Sequence, residues 1–346
     1  WYIQMGKIKF DYFAHLVYFR KIILIMALKD LSIKDRKILY ELDCNSRQTY
    51  LQLAKKVGLS KDGVIYRVNK LIKDNIIQRF YPLIDYSKLG YFTVRVYLRF
   101  QNSTPEKEQE ITDCLCQIRN SLWVGKAEVH WNLVWLILVK SFQEFDNYWL
   151  EFEHKFRRYI QQRNVALFIQ YDHFPRNYLI NKRKFELRVE VLGLAKEEKL
   201  DSVEINLLQL LSRDARASLT SLGKALKLSP KTIGYRIKQL ERKKIILSYR
   251  TRINLSRLGI LYYKVDLMLE DLSRITELKT FVSYYPNIIY FERTIGGSDF
   301  EFDVECQNVS EFQNLILQLK EKFGECIRDY NYYLGTEVFR TEFFQV

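Results

Sequence analysis

Apolar residues along this chain fall into short helical runs that return in the same order further on. Ile38, Leu39 and Leu42 stand at helical spacing in a polar stretch, and Leu51, Leu53, Ala54 and Val57 mark a second helix after the polar turn 43–47. Gly58 suits a positive-φ stop, and Ser60 then caps a third helix, Lys61–Lys73, with Val64, Val68 and Leu71 as its buried stripe. A shift of 169 positions lays residues 35–90 on 204–259 without a gap. Leu39 meets Leu208, Arg47 meets Arg216, Tyr66-Arg67 meets Tyr235-Arg236, and Leu89-Gly90 meets Leu258-Gly259. Chance does not hold register through 56 residues, so the chain is an internal duplication.

The second copy repeats the local grammar. Ser229 caps Pro230–Arg242, where proline at the first helical position loses no hydrogen bond, and Ile233, Ile237 and Leu240 form the stripe. Ser32-x-x-Asp35 and Asp201-x-x-Glu204 read as capping signals for the first helix of each copy. Three short helices with a tight turn before the third make a helix-turn-helix. Alternation over 76–84 and 245–253 predicts a short wing or connecting strand after each.

Alternating and helical patterns then succeed one another twice. The first half predicts a strand over 91–100, a helix over 105–119, a hairpin over 122–129 and 133–139, a helix over 142–161 and a strand over 165–173. The second half predicts 261–269, 272–284, 288–294 with 300–306, 309–323 and strands over 327–344. Strand-helix-strand-strand-helix-strand is the ferredoxin-like order. The fold class is therefore α+β, two winged helix-turn-helix domains each followed by a ferredoxin-like βαββαβ domain. The boundaries are 1–30 for an N-terminal extension, 31–84 and 200–253 for the winged domains, and 85–175 and 254–346 for the ferredoxin-like ones. Residues 176–199 form a charged, partly helical connector.

Composition narrows the partners. The 346 residues carry a net charge of +14, which favours an anionic partner, nucleic acid before a membrane surface, although it also suits plain solubility. Five cysteines, an odd number without Cys-x-x-Cys, argue for reduced thiols in a cytoplasmic protein. The histidines His15, His130, His154 and His173 lack zinc-ligand spacing, so no metal and no cofactor is expected. The apolar run 22–28 is too short to span a bilayer and lacks a clean cleavage site after it, so no membrane role is assigned.

Three segments resemble the Lrp/AsnC family of feast/famine regulators: the opening 35–39, the helix-turn Leu53-Ala54-Lys55-Lys56-Val57-Gly58-Leu59-Ser60, and Tyr66-Arg67-Val68-x-x-Leu71. Ile76-Ile77 and Leu89-Gly90 also fit, and the likeness covers about 31–175 and 200–345. It implies a sequence-preferring regulator of double-stranded DNA, with the fused units forming an internal pseudo-dimer that assembles into a further homo-oligomer. The candidate DNA-binding residues are Ser60, Lys61, Tyr66, Arg67 and Lys70 in the first copy. In the second they are Ser229, Lys231, Thr232, Tyr235, Arg236, Lys238 and Gln239. Arg67 and Arg236 fit either a phosphate contact or an internal ion pair. Arg242, Lys243, Lys244, Arg250, Arg252 and Arg257 predict the stronger DNA contact for the second copy, since Asp62 lies at the tip of the first.

Residues 294–302 resemble the family's glycine and acid turn, near which small effectors, often amino acids, bind. Gly296, Gly297, Asp299 and Phe300 are the candidate effector residues, although glycine and aspartate also make ordinary hairpin turns. The first half has His130-Trp131 there, which reads as interface packing. Two further functions stay open beside the regulator: packing or coating DNA without operator preference, and an enzyme. Siroheme decarboxylases also look like Lrp/AsnC proteins, some being fusions of two units, and carry an Asn-His pair before the strand entering the ferredoxin-like domain. Residues 84–90 and 253–259 hold no histidine, so no catalytic residue is assigned.

Overall fold

The computed structural model describes residues 28–180, 190–193 and 196–344. The first unit runs α1 (Ile33–Cys44), α2 (Tyr50–Val57), α3 (Lys61–Lys73), β1 (Ile77–Ile84), β2 (Phe92–Phe100), α4 (Pro105–Gln117), β3 (Ser121–Glu128), β4 (Leu133–Val139), α5 (Phe142–Phe156) and β5 (Ile160–His173). The short strand β6 (Glu190–Leu192) follows. The second unit runs α6 (Ser202–Arg213), α7 (Leu219–Leu226), α8 (Pro230–Arg242), β7 (Ile246–Ile253), β8 (Leu261–Leu269), α9 (Ile275–Tyr284), β9 (Ile288–Ile295), β10 (Phe300–Cys306), α10 (Val309–Phe323) and β11 (Ile327–Thr341). The expected extension falls, up to residue 27, outside the described residues.

Local signals act where the sequence puts them. Ser60 and Ser229 accept the backbone N–H groups of Gly63 and Thr232, which satisfies a first-turn donor in α3 and α8. Gly58 ends α2 at φ 70°, whereas Lys227 takes the same left-handed turn after α7 at φ 55°. The stripes are buried as expected, Val64, Val68 and Leu71 in α3 and Ile233, Ile237 and Leu240 in α8. Of the two capping signals, Asp201 makes the reciprocal box with Glu204, while Asp35 turns to the Ser32 hydroxyl instead.

Several expectations need correction. The helix expected over 142–161 stops at Phe156, so that β5 starts at Ile160 rather than 165. The helix expected from 272 begins at Ile275, and β11 is one strand ending at Thr341. The described part of the connector has a single 3-10 turn (Asn177–Leu179) and then a strand, β6, on the end of β5.

The wing or connecting strand expected after each helix-turn-helix is present, as β1 and β7. They pair with each other, antiparallel, with Tyr81 opposite Arg250, which are equivalent positions of the two copies. Beyond them, each half keeps the ferredoxin-like order, β5-β2-β4-β3 and β11-β8-β10-β9. The two sheets then join along both edges. β5 pairs first with β2 and then, from Leu167 to His173, with β9; β11 pairs first with β8 and then, from Leu334 to Thr341, with β3. An eight-stranded antiparallel ring results, and closure removes the exposed edges that each sheet alone would present.

Reciprocal contacts relate the two units by a pseudo-two-fold axis. Arg47 donates to the Ala215 and Ala217 carbonyls, and Arg216 donates to those of Ser46 and Gln48. Asp85 N–H bonds to the Ile245 carbonyl and Asn254 N–H to that of Ile76, again an exchanged pair. Each helix-turn-helix core is also completed from the other copy: Ile253, Leu258 and Ile260 pack under α1–α3, while Ile84 and Leu89 pack under α6–α8.

Candidate nucleic-acid interface

The third helix of each unit turns one face to its own core and the other outward. On α3, Lys61, Asp62, Tyr66, Asn69 and Lys70 are exposed, and on α8, Lys231, Tyr235 and Lys238 are, with Thr232 and Gln239 half-buried. Tyr66 and Tyr235 stand at equivalent positions and are 69% and 63% exposed, so each offers a ring face and a hydroxyl to a ligand. Ser60 and Ser229 sit at the helix N-termini, where the remaining first-turn N–H groups and the helix dipole favour an anion such as phosphate. A cleft lined by Arg47, Tyr50, Lys61 and Arg216 lies beside α3 where the two units meet.

Arg67 and Arg236 are engaged internally. Arg67 lies 2.9 Å from Asp35 and Arg236 2.6 Å from Asp201, so each ties its third helix to the start of the first. The Arg236 guanidinium also holds the Asp201 carboxyl below the usual range, chiefly through that hydrogen bond. Both arginines thus position α3 and α8.

The expected basic surround of α8 is largely absent. Arg250 is fully buried, donating to the Asp43 carbonyl at 3.0 Å and pairing with Glu190. Arg252 bonds Gln78 at 2.9 Å and Arg257 bonds the Asp74 carbonyl at 3.2 Å, both across to the first unit. Sequence proximity misled here because β7 runs away from α8 into the shared ribbon. Arg242 and Lys244 remain exposed near α8, so the contrast with Lys73 on α3 is small.

The glycine and acid turn is brought together beside β5. Gly296 adopts φ +84°, and a Cβ there would lie 2.5 Å from the Val165 carbonyl oxygen, so glycine lets the turn sit on β5. Asp299 accepts the Leu269 N–H at 2.8 Å, and Phe300 is buried against Phe291. Trp131 stacks on Tyr97 at 5.3 Å, and Tyr97 meets Tyr333 of the other half, the interface packing expected for that segment.

Two buried ionic clusters escaped the sequence reading. Inside the ring, Arg95 pairs with Glu292 and Glu301, and Lys264 lies 2.9 Å from Glu301 and 3.5 Å from Asp303. Beside the ribbon, Arg176 bonds Asp43 at 2.7 Å and Glu305 at 2.8 Å, with Arg250 and Glu190 adjoining. The available signal was the alternation Glu301, Asp303, Glu305 along β10, which reads equally well as a face in water.

A family model for winged helix-turn-helix DNA-binding domains matches residues 31–78, and one for AsnC-type helix-turn-helix domains matches 200–241. The transcriptional regulator LrpC of Bacillus subtilis is 28% identical over 121 residues, 34% of this chain and 82% of its own length. An uncharacterized HTH-type transcriptional regulator of Pyrococcus furiosus is 30% identical over 117 residues, 34% of this chain and 78% of its own. The chain belongs to the Lrp/AsnC family. It is a DNA-binding transcriptional regulator in which two family units are joined. Among solved structures, the siroheme decarboxylase NirDL, in complex with an iron-uroporphyrin III analogue, shares the fold of this Lrp/AsnC chain with a TM-score of 0.61. That likeness covers 90% of this chain and 94% of NirDL at 11% identity. Among the described residues, no helix is long and apolar enough to cross a membrane and no side-chain cluster could hold a metal ion.

Proposed function

We propose that the protein binds a preferred duplex sequence through both third helices at once. The observation that carries this is the set of exchanged contacts across the pseudo-dyad, which relates α3 and α8 as the helices of a dimer are related. Two-fold related recognition helices suit half-sites one helical turn, or a multiple, apart. Lys61, Tyr66 and Lys70 on α3, and Lys231, Thr232, Tyr235, Lys238 and Gln239 on α8, are the side chains offered to bases and phosphates. Ser60 and Ser229 present helix N-termini to the backbone, and Arg67 and Arg236 hold the helices in place.

Capture of sheared DNA from the source organism, with sequencing of the bound fragments at near-physiological salt, tests this directly. Discrete regions sharing a motif are expected. Even coverage that vanishes as salt rises would instead indicate a DNA coat, since phosphate contacts alone are strongly salt-dependent.

Control by an amino-acid effector at Gly296, Gly297, Asp299 and Phe300 would require the ligand's ammonium group to replace the Leu269 amide at Asp299. An Asp299→Asn variant that keeps every ligand response of the parent would end that idea. Further assembly of the fused chain, expected from the family, is tested by sedimentation. A second reading, tetrapyrrole decarboxylation, is favoured by the two-unit architecture shared with NirDL over nine-tenths of the chain. Against it, residues 84–90 and 253–259 carry no histidine, and burial, then the neighbouring Arg250 and Arg176, pushes the His173 imidazole well below its ordinary value. Titration with sirohaem separates the two: a stoichiometric spectral change supports the enzyme, and its absence supports the regulator.

A further inference from the structure

The two third helices share a frame and differ in what they would read. Ser60 and Ser229 cap them, Tyr66 and Tyr235 stand out from them, and Arg67 and Arg236 each brace them to an acid at the start of the first helix, Asp35 in one copy and Asp201 in the other. Between these shared points the exposed chemistry changes sign. Asp62 and Lys231 occupy the same place, two residues after the cap, and both are exposed. Lys238 stands where the first copy has Asn69, and Gln239 where it has Lys70.

An ionised carboxylate only accepts hydrogen bonds and an ammonium group only donates them. In a major groove the carboxylate takes the N4 amino group of cytosine, whereas lysine takes O6 and N7 of guanine. A palindrome presents the same atom at dyad-related positions. One of the two side chains would then face a group of its own polarity, across a contact in which each well-placed pairing discriminates by a factor of about five to a hundred or more. The bland role of Asp62, favouring the helix dipole from the first turn, requires no particular base. That role cannot account for the exchange of charge, because Lys231 sits unfavourably in the same dipole.

We propose that the operator is directional. Its two half-sites are unlike, with the base under Asp62 an amino-group donor, cytosine foremost, and the base under Lys231 an acceptor, guanine foremost. The covalent order of the units then orients the whole chain on the duplex. A homodimer of identical units has no means of doing this. The inference rests on the DNA-reading function proposed above.

Selection of the full chain on randomised duplexes is the test. The expected motif has two different halves and is not its own reverse complement. Asp62→Lys, an exchange on an exposed position, should change the preference in one half only. It should weaken binding to the parent motif by about tenfold and raise affinity for a palindrome built from the half read by α8. Lys231→Asp should produce the mirror result. A palindromic motif, or an Asp62→Lys change spread equally over both halves, would overturn the directional site while leaving the regulator intact. Binding without any enriched sequence would instead overturn the sequence-reading function, and the directional site with it.

Discussion

Strands β4 and β10 hold equivalent places in the two sheets, yet their inward faces are opposites. On the helix side both are apolar, Leu133, Trp135, Ile137 and Val139 in one and Phe300, Phe302, Val304 and Cys306 in the other. On the other side β4 offers Val134, Leu136 and Leu138, and β10 offers Glu301, Asp303 and Glu305. Arg95 of the first sheet and Lys264, its equivalent in the second, both lie against the second sheet's acids. In a homodimer any residue placed inside the ring appears twice, so this acid face would meet a copy of itself. Fusion releases that constraint, and one half becomes the apolar wall while the other carries the charge.

The attachments of the two DNA-binding units diverge in the same way. Asp43 at the end of α1 is fully buried with Arg176 and Arg250, whereas its equivalent on α6 is Ser212. On the other side Tyr81, the equivalent of Arg250, stacks on Phe343 at 3.6 Å, and the Tyr86 hydroxyl donates to the Phe343 carbonyl. One unit is thus held by buried ions and the other by rings.

The strongest way to break the first contrast is Arg95→Met. It leaves Glu292 and Glu301 buried with Lys264 alone, and removal of one partner from a buried ion pair costs about 3–5 kcal/mol. Chemical denaturation should show that loss. Replacing Leu136, at the inner wall opposite in character, by Val should cost about 1 kcal/mol.

Arg250→Met probes the second contrast and should cost about 3 kcal/mol, because it takes a buried cation away from Glu190 and leaves Asp43 with Arg176 as its remaining cation. Hydrogen exchange should report the loosening in α1–α3 more than in α6–α8. Equal loosening of both units would remove the distinction between the attachments.

Acidity sharpens the comparison further. Burial, then the neighbouring Glu292, pushes the Asp303 carboxyl up to about 7, and burial raises that of Asp266 to about 6. Both folded values lie above the ordinary carboxylate value near 4, so between about pH 4 and pH 7 the folded chain holds protons that the unfolded chain releases. Their contribution to stability is therefore present at the acid end and lost as pH rises through that window. Asp303→Asn should flatten the fall in thermal stability between about pH 4 and pH 7. An unchanged slope would show that Asp303 does not carry it.

The smallest effect on stability is expected at the exposed rings. Tyr66→Ala and Tyr235→Ala should each shift unfolding by no more than about 0.5 kcal/mol, since neither ring is packed in a core. Both should weaken DNA binding in a gel-shift or fluorescence titration. A variant that binds as the parent does would remove its tyrosine from the interface.

Much of this architecture was legible in residues. Ser60, Gly58, Pro230 and the stripes of α3 and α8 act within a few positions of themselves, so their signals survive in a linear reading. The outward side chains of both third helices followed from the same periodicity. Arg250 was misplaced because it lies close to α8 in sequence but on a strand whose partner, β1, is more than 160 residues away. The burial of Glu301 and Asp303 is not legible in the sequence, because alternation identifies a polar face without naming what covers it.

The amino-acid sequence by itself determined the duplication, the element types, the caps and the faces of the third helices, all consequences of short-range sterics and hydrogen bonding. Closure of the two sheets into one ring, the exchange of β1 and β7 across the dyad, and the burial of Arg95, Lys264 and Arg250 were decided only in three dimensions. A strand carries the same alternation whether its second face meets water or another sheet, and only the tertiary partner settles its dielectric surroundings, and with them the state of every charge on that face.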